Sequence, residues 1–251
     1  MSADEIRALM SAACNDRLTW NTPLSEEHAA QLVDACVPGA GARIVDFGSG
    51  WGELLMRLVE SAPGSTGDGV ETDPGAVARG RALAEERGLS ERVRFHRMPA
   101  AEWADDGYDL AVSVGASHAW PGSTPEALRA LQAAVRPGGR VLFGEGFWER
   151  EPSVRALAGL GAEPGDFGSL LELIRQAEAV GLRPLQVTVA DQREWDLFES
   201  NANIGQGERW ALANAGHPLY EGVVAAVDER RTGYYGGYRG TFGLAYLVLS
   251  A

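Results

Sequence analysis

Short apolar runs alternate with longer amphipathic stretches between residues 43 and 144, and this alternation is the main feature of the sequence. A continuous apolar run of a few residues is typical of a buried strand, whereas apolar residues three and four apart are typical of one face of a helix. Strands that alternate with helices predict βαβ units, a parallel sheet and right-handed crossovers that place helices on both faces. The predicted strands are 43–47, 67–71, 92–96, 108–114 and 140–144, and the predicted helices are 53–61, 74–87 and 125–135.

Helical patterns also flank this alternating core. Residues 3–14 predict one helix, and Ser25, as an N-cap before an acidic first turn, predicts a second helix that ends at Cys36. After Glu145 the rhythm changes to an insertion over 147–167 that is interrupted by Gly and Pro. Further helices are predicted at 169–180, 193–215 and 218–231, and strands at 185–189 and 241–249. We predict one domain, with an N-terminal helical cap at 1–40, a ligand-binding core at 41–145, lid and substrate insertions at 146–240 and a closing strand at 241–251.

Charge and cysteine content exclude several classes of protein. The formal net charge is −13 and there is no basic stripe, which a protein needs to bind the phosphates of a nucleic acid. Anionic membranes are disfavoured for the same reason, and no apolar run approaches the roughly 18 residues of a spanning helix. Residues 1–20 lack the pattern of a signal peptide, so we expect a cytoplasmic protein. Cys14 and Cys36 form no CxxC pair and no Cys/His cluster, which predicts two apolar thiols.

All 22 basic residues are arginine, and the absence of lysine removes whole reaction classes. Schiff-base enzymes, pyridoxal-phosphate enzymes and P-loop NTPases all depend on a lysine. Short-chain dehydrogenases need a Tyr-x-x-x-Lys pair, which this chain does not contain. The sequence is incompatible with each of these classes.

Residues 46–52, Asp-Phe-Gly-Ser-Gly-Trp-Gly, join the first predicted strand to the next helix. Glycines at alternate positions permit a sharp turn and let a ligand approach the backbone, and the helix start adds unpaired N–H groups. A dinucleotide fingerprint has the spacing Gly-x-Gly-x-x-Gly, with the pyrophosphate at the helix start. Here the third glycine comes one residue early and Glu53 follows it, which would repel a pyrophosphate. Asp46 and Glu53 instead favour a ligand with positive charge, such as one with an ammonium and a sulfonium.

The loop Asp46–Gly52 resembles the first motif of the class I S-adenosylmethionine-dependent methyltransferases, an acidic residue followed by Gly-x-Gly-x-Gly. Glu71, 19 positions after Gly52, matches the family's acidic residue that accepts hydrogen bonds from both ribose hydroxyls. The resemblance covers 44–144, and residues 21–25 and 144–148 look more loosely like bacterial small-molecule members. It implies a Rossmann-like, doubly wound α/β fold, with a mostly parallel sheet, an antiparallel C-terminal strand and a helical lid. The implied cofactor is S-adenosyl-L-methionine, held by Asp46, Gly48, Ser49, Gly50, Trp51, Gly52, Glu71, Thr72, Ser113 and Gly115.

The adenine site departs from the family pattern. The family has an Asp-Ala pair after its third strand, whereas Pro99 stands here in place of the acid. Recognition of adenine then falls to backbone groups around Ala100 and Ala101, or to Glu102. Trp103 either packs on the adenine ring or belongs to a surface helix.

Residues after the fourth and fifth strands are the candidates for the methyl-transfer step. Ligands of open α/β sheets bind beyond the carboxyl ends of the strands, where His118 and Glu145 lie. His118 is the candidate general base because imidazole titrates near neutral pH, and shaping of the pocket wall is the alternative. Glu145 is the second candidate, as a base, as a counter-charge to an amine, or in a capping role.

Aromatic residues and one arginine are the candidates for substrate binding. Aromatic faces stabilise a sulfonium and enclose an apolar acceptor, and an arginine is suited to pair with an acidic group. The candidates are Trp20, Trp120, Trp148, Tyr234, Tyr235 and Arg239, with core or surface roles as the alternative. The chain lacks the signatures of DNA base, catechol-type and protein arginine methyltransferases after its fourth strand, so we expect a small-molecule acceptor and no metal.

Two other functions remain open on the sequence. A protein that binds S-adenosylmethionine without transferring its methyl group would show the same cofactor motifs. A nicotinamide-dependent oxidoreductase is disfavoured by the Gly-x-Gly-x-Gly spacing and the missing lysine. The partner that we expect is a small-molecule substrate, with neither nucleic acid nor membrane, and the sequence leaves open whether two copies form a homodimer.

Overall fold

The computed structural model describes residue 6 and residues 18–36, 39–122 and 124–251. Apart from Ile6, the helix predicted over 3–14 lies outside the described residues, and so does Cys14. Cys36 is fully buried, and burial raises the pKa of its thiol to about 12. Its thiol therefore stays protonated and behaves as the predicted apolar side chain.

The described residues form one seven-stranded sheet. Its strands are β1 Arg43–Phe47, β2 Thr66–Glu71, β3 Val93–Arg97, β4 Tyr108–Val114, β5 Val135–Trp148, β6 Arg183–Val189 and β7 Phe242–Ser250. The strand order is β3–β2–β1–β4–β5–β7–β6. The first five strands in this order form four parallel pairs, and the C-terminal strand β7 runs antiparallel to β6. The predicted Rossmann-like sheet is confirmed, and its strand order reverses between β1 and β4, the place where such sheets bind ligands.

Helices occupy most of the predicted connections. Those among the described residues are α1 Glu26–Cys36, α2 Glu53–Ser61, α3 Pro74–Glu86, α4 Thr124–Ala134, α5 Val154–Leu160, α6 Leu170–Ala179, α7 Gln192–Glu199, α8 Gly205–Ala213 and α9 Tyr220–Gly233. The Ser25 hydroxyl caps α1 by accepting a hydrogen bond from the His28 N–H at 3.1 Å. Asp73 caps α3 in the same way, with Gly75 as the donor at 2.8 Å.

Strand β5 is longer at both ends than the pattern predicts. The predicted turn over 136–139 is an irregularity within the strand, because β4 pairs through Tyr108 with Val135 and then through Leu110 with Arg140. At the other end, Phe147 and Trp148 were predicted within the insertion but continue the strand. Both side chains are buried, so tertiary packing extends the strand beyond its apolar run.

The helix predicted over 193–215 is divided by one wider helical turn, residues 200–204. The N–H of Gly205 donates to the Ser200 carbonyl five residues earlier. A Cβ on Gly205 would lie 2.1 Å from that carbonyl oxygen, so the wider turn requires glycine here. Helix α5 was not predicted, although Ser153 caps its start and Gly161 ends it in a left-handed conformation.

The chain groups into two compact units. The larger unit contains residues 25–146, 170–189 and 244–251, with a core formed by the buried faces of the sheet and its helices. Helices α1 and α6 and strand β6 belong to it, although the cap and lid were predicted at their positions. The smaller unit contains the described residues up to 24 together with 147–169 and 190–243, and its core includes a cluster of aromatic rings. Within the described ranges, no helix has the length and apolar character needed to cross a membrane.

Candidate functional site

The three glycines of the loop after β1 are required for different structural reasons. All three have positive φ angles of 70°, 55° and 73° at Gly48, Gly50 and Gly52. A Cβ on Gly48 would lie 2.3 Å from the Ala116 Cβ, and one on Gly52 would lie 2.5 Å from the Phe95 ring. A Cβ on Gly50 would meet no atom within 4 Å. Packing therefore requires two of the glycines, while the third borders open space that a ligand can occupy.

Asp46, at the end of β1, is a buried carboxyl group. Its exposed fraction is 5%, and no hydrogen bond to its carboxylate is found among the described residues. Burial, with the negative charge of Glu71 added to it, raises the pKa of Asp46 well above its usual value. A cationic ligand would relieve this penalty, because it would supply the charge partner that the fold does not.

Glu71, at the end of β2, holds the glycine loop. Its Oε2 accepts a hydrogen bond from the Gly50 N–H at 3.0 Å. Its Oε1 accepts from the N–H groups of Thr72 at 2.7 Å and Asp73 at 2.9 Å. A carboxylate has about four acceptor positions, so Oε2 keeps capacity for a hydroxyl donor. The same side chain can thus fix the loop and bind a ligand.

Glu53 does not play the electrostatic role that the sequence indicated. Its carboxylate is 7% exposed and pairs with Arg57 at 2.7 Å and with Arg87 at 2.5 Å. Arg57 also pairs with Glu26 of α1 at 2.6 Å. The charge of Glu53 is therefore neutralised within a network that joins three helices. Asp46 and Glu71 are the two acidic groups at the loop that can still favour a cation.

The predicted adenine residues form a short helical turn, Ala100–Glu102, after β3. Ala100 is buried, and Ala101 and Glu102 are exposed. Glu102 and Trp103 donate the two hydrogen bonds of the turn, so the turn itself does not use the N–H groups of Ala100 and Ala101. The Trp103 ring meets the His96 ring edge-on, with centroids 4.7 Å apart.

Glu145, at the carboxyl end of β5, is tied to the segment that carries His118. Its exposed fraction is 6%, and burial raises its pKa although its hydrogen bonds oppose the shift. The donors are the Gly146 N–H at 2.8 Å, the Thr124 hydroxyl at 3.3 Å and the Ser117 side chain. His118 is exposed on the short turn Ser117–Ala119.

Ser113 and Gly115 lie at the end of β4. The Ser113 hydroxyl is fully buried and has no hydrogen-bond partner among the described residues. Gly115 is exposed, has a φ of 69° and donates to the Gly144 carbonyl at 2.8 Å. Of the two predicted cofactor residues, Gly115 is therefore the one on an open surface.

Trp120 is the predicted substrate residue that belongs to the larger unit. It is 7% exposed, and its ring packs edge-on against Phe47, with centroids 5.6 Å apart. The indole is therefore part of the buried core of the larger unit. The alternative core role is therefore the one that its contacts favour.

The other predicted substrate residues belong to the smaller unit. Trp20 is buried, and Trp148 packs edge-on against Phe167 and Phe242. Tyr234 is buried and donates its hydroxyl to Asp196 at 2.7 Å. Two bonds of 2.8 Å join Arg239 to the same carboxylate. Tyr235 is 51% exposed and borders, with Arg239, an open cavity of about 700 Å³.

Sequence reasoning missed the residues that support this site. Ser117 and Thr124 hold Glu145, Ala116 packs on Gly48, and Asp68 bonds to His96, whose ring contacts Trp103 after the predicted adenine residues. Ser117 stands beside His118 in the sequence, which was a usable signal. The other contacts join residues distant along the chain, so no sequence pattern indicates them. Within the described ranges, no group of three His, Cys, Asp or Glu side chains is arranged to hold a metal ion.

Comparisons with known proteins agree with this geometry. The sequence profile of a family described as a methyltransferase domain matches residues 44–139. The uncharacterized protein YjhP of Escherichia coli (strain K12) is 31% identical over 236 residues, which cover 92% of this chain and 93% of that protein.

Two crystal structures with bound S-adenosyl-L-homocysteine are similar along their whole length. The SAM-dependent methyltransferase from Geobacter sulfurreducens has a TM-score of 0.86 and 28% identity, and the match covers 98% of this chain and 97% of that chain. The SAM-dependent methyltransferase from Thiobacillus denitrificans also has a TM-score of 0.86, with 29% identity and 100% of both chains covered.

Proposed function

This chain belongs to the S-adenosylmethionine-dependent methyltransferases, and we propose that it methylates a small-molecule acceptor with His118 as general base. The observation that supports cofactor binding is the pair of carboxylates at the ends of β1 and β2. Asp46 is buried without a hydrogen-bond partner among the described residues, Glu71 raises its pKa further, and the glycine between them borders open space. This arrangement fits a ligand with positive charge and hydroxyl groups.

Each part of the cofactor has residues suited to hold it. We assign the ribose hydroxyls to Glu71 and the cationic methionine part to Asp46. Gly50, which has no Cβ, would let the cofactor lie close to the backbone of the loop. We assign adenine to the N–H groups of Ala100 and Ala101 and to the Glu102 carboxylate. When bound, S-adenosylmethionine supplies an electrophilic methyl group on a sulfonium, and the chain has to align an acceptor with it and exclude water.

His118 is the residue that we assign to proton transfer. It is exposed on a turn beyond β4, so a substrate can reach its ring. A ring nitrogen of His118 accepts the proton that the nucleophilic atom of the acceptor loses. Glu145 is buried and its oxygens accept from Gly146, Thr124 and Ser117. These contacts support a positioning role for Glu145, since it fixes the turn on which His118 stands.

The charge of the chain supports a small-molecule acceptor. The net charge of −13 opposes contact with nucleic-acid phosphates.

Calorimetric titration with S-adenosylhomocysteine tests the cofactor assignment. We expect Glu71→Ala to weaken binding by about 1–3 kcal/mol, because a charged hydrogen-bond acceptor is lost. Glu86→Ala is the matched control, since Glu86 is an exposed carboxylate at the end of α3, and it should bind as the wild type does. Unchanged affinity in Glu71→Ala would remove the ribose assignment, and a wild-type chain without affinity for this ligand would contradict the proposed function.

A further inference from the structure

The connection between β3 and β4, residues 98–107, crosses one face of the sheet with a single short helical turn. It carries the turn Ala100–Glu102 and continues through irregular backbone to Tyr108. Because β3 ends at the cofactor edge of the sheet and β4 begins at the opposite edge, the connection has to run between the two edges. A segment with so few backbone hydrogen bonds of its own depends on the side chains beneath it for its position.

Two contacts hold this connection at separate points. The Trp103 ring packs edge-on against His96, at 4.7 Å between centroids, near the end of β3. The Asp105 carboxylate lies 3.1 Å from the hydroxyl of Tyr108, which is fully buried at the start of β4. Both anchors belong to strands of the sheet, so they give the connection a fixed reference.

Asp68 of β2 joins the two anchors. Its Oδ1 accepts a hydrogen bond from His96 Nε2 at 2.7 Å, and its Oδ2 lies 3.2 Å from the Tyr108 hydroxyl. The Tyr108 proton is thus shared between Asp68 and Asp105. Burial, and then the charges of these two carboxylates, raise the pKa of Tyr108, so its hydroxyl remains a donor.

Arg43 completes the chain of contacts. Its guanidinium donates to the Asp105 carboxylate at 2.6 Å and lies over the Tyr108 ring at 4.4 Å from the centroid. It also donates to the Asp106 carbonyl at 3.0 Å. The end of the connection is therefore held by both a hydroxyl and a guanidinium.

We propose that Asp68 is a positioning residue for adenine, which sets the selectivity of the site for the base through His96, Tyr108 and the connection. The inference rests on the proposed function, because it needs adenine at Ala100–Glu102. The ribose and the methionine part are assigned to Glu71, Asp46 and the glycine loop, and the hydrogen bonds of the Asp68 side chain go instead to His96 and Tyr108. Disturbance of Asp68 therefore affects recognition of the base and leaves the remaining contacts in place.

The test compares two ligands that differ only at the base. S-adenosylhomocysteine carries the adenine amino group, and S-inosylhomocysteine carries an oxygen in its place. Affinities for both are measured by calorimetry for the wild type, Asp68→Asn and Tyr108→Phe. Tyr238→Phe is the matched control, because it removes a buried hydroxyl that also bonds to a carboxylate, Glu199 at 2.7 Å, in the smaller unit.

We expect the wild type to prefer S-adenosylhomocysteine and both variants to lose about five- to tenfold of that preference, as for one misplaced hydrogen bond. The control should keep the preference even if its melting temperature falls. An unchanged ratio in folded Asp68→Asn or folded Tyr108→Phe, or equal affinities of the wild type for the two ligands, would overturn the inference alone. If Asp68→Asn fails to fold, Tyr108→Phe carries the test, because it removes a single oxygen. A wild type that binds neither ligand contradicts the proposed function as well.

Discussion

Single residues at the strand ends differ in function because their surroundings differ. Asp46 and Glu145 are both buried carboxyl groups with raised pKa values, but only Glu145 has hydrogen-bond donors from the chain. Glu71 accepts hydrogen bonds from three backbone N–H groups, one of which belongs to the glycine loop. Asp46, which accepts no hydrogen bond from the described residues, is therefore suited to bind a ligand. Glu145 and Glu71, which do accept such bonds, hold the backbone around the site in place.

The His118 assignment predicts a separation between turnover and binding. We expect His118→Ala to lower turnover by about 10²–10⁴-fold, the usual contribution of a general base, with unchanged affinity for S-adenosylhomocysteine. Turnover is measured as release of this product with the best acceptor found by screening small molecules. His217→Ala is the control, because His217 is an exposed histidine of the smaller unit. Equal turnover of His118→Ala and the wild type would remove His118 as the base.

At the scale of elements, close backbone contact defines the smaller unit. A Cβ on Gly159 of α5 would lie 2.5 Å from the Gly233 carbonyl oxygen at the end of α9. A Cβ on Gly237 would lie 2.7 Å from the Arg155 carbonyl oxygen. Backbone carbonyls cannot rotate away as a side chain does, so these glycines set the distance of α5 from the end of α9 and from residues 234–238.

Alanine at Gly159 should therefore destabilise the chain. We expect Gly159→Ala to lower the free energy of unfolding by about 1–3 kcal/mol, the usual cost of overpacking, despite the higher helix propensity of alanine. Gly216→Ala serves as the control, since a Cβ there would meet nothing within 4 Å. Urea unfolding measures both variants. Equal stability of the two would show that α5 can move to accept the methyl group.

At the scale of the whole molecule, ligand binding and stability place opposite demands on charge. Burial and the charge of Glu71 raise the pKa of Asp46. At Asp109, burial opposes the shift, but hydrogen bonds from the Arg43 N–H and from Arg136 lower the pKa. A carboxyl group whose pKa is raised by folding favours the folded state in its protonated form. This contribution to the free energy of unfolding is complete below the unfolded pKa of about 3.9, and it is lost as the pH rises through the folded pKa. Near neutral pH, the ionised Asp46 therefore opposes folding, whereas the ion pair of Asp109 with Arg136 favours it.

Asp46→Asn tests this balance in the ligand-free chain. The free energy of unfolding, relative to the wild type, should rise as the pH increases above the unfolded pKa of about 3.9, by at most about 1.4 kcal/mol per pH unit. Affinity for S-adenosylhomocysteine should fall in the same variant. Asp109→Asn is the control, because a lowered pKa acts below pH 4, so its cost should stay constant over this range. If the difference in the free energy of unfolding between Asp46→Asn and the wild type did not change with pH, ionisation of Asp46 would not destabilise the folded chain.

The local sequence determined much of the fold. The strands 43–47 and 108–114 and the helix 53–61 have the predicted bounds, because an apolar run or a helical period is a local property. The loop glycines and Glu71 were identified by residue type and spacing, which short segments also preserve. The division of 193–215 and the length of β5 were missed, since Gly205 and Trp148 act through the backbone and rings that they meet.

The sequence by itself thus determined the parallel core and, through its resemblance to a family, the expected cofactor and class of reaction. Only the tertiary structure decided which charges are available: it paired Glu53 with two arginines and left Asp46 without a hydrogen-bond partner among the described residues. It also joined Asp68 to His96 and Tyr108, and Glu145 to Ser117 in the turn that carries His118. The reason is physical. Residue types and spacings are written along the chain, whereas burial, pairing and pKa depend on neighbours that only folding brings together.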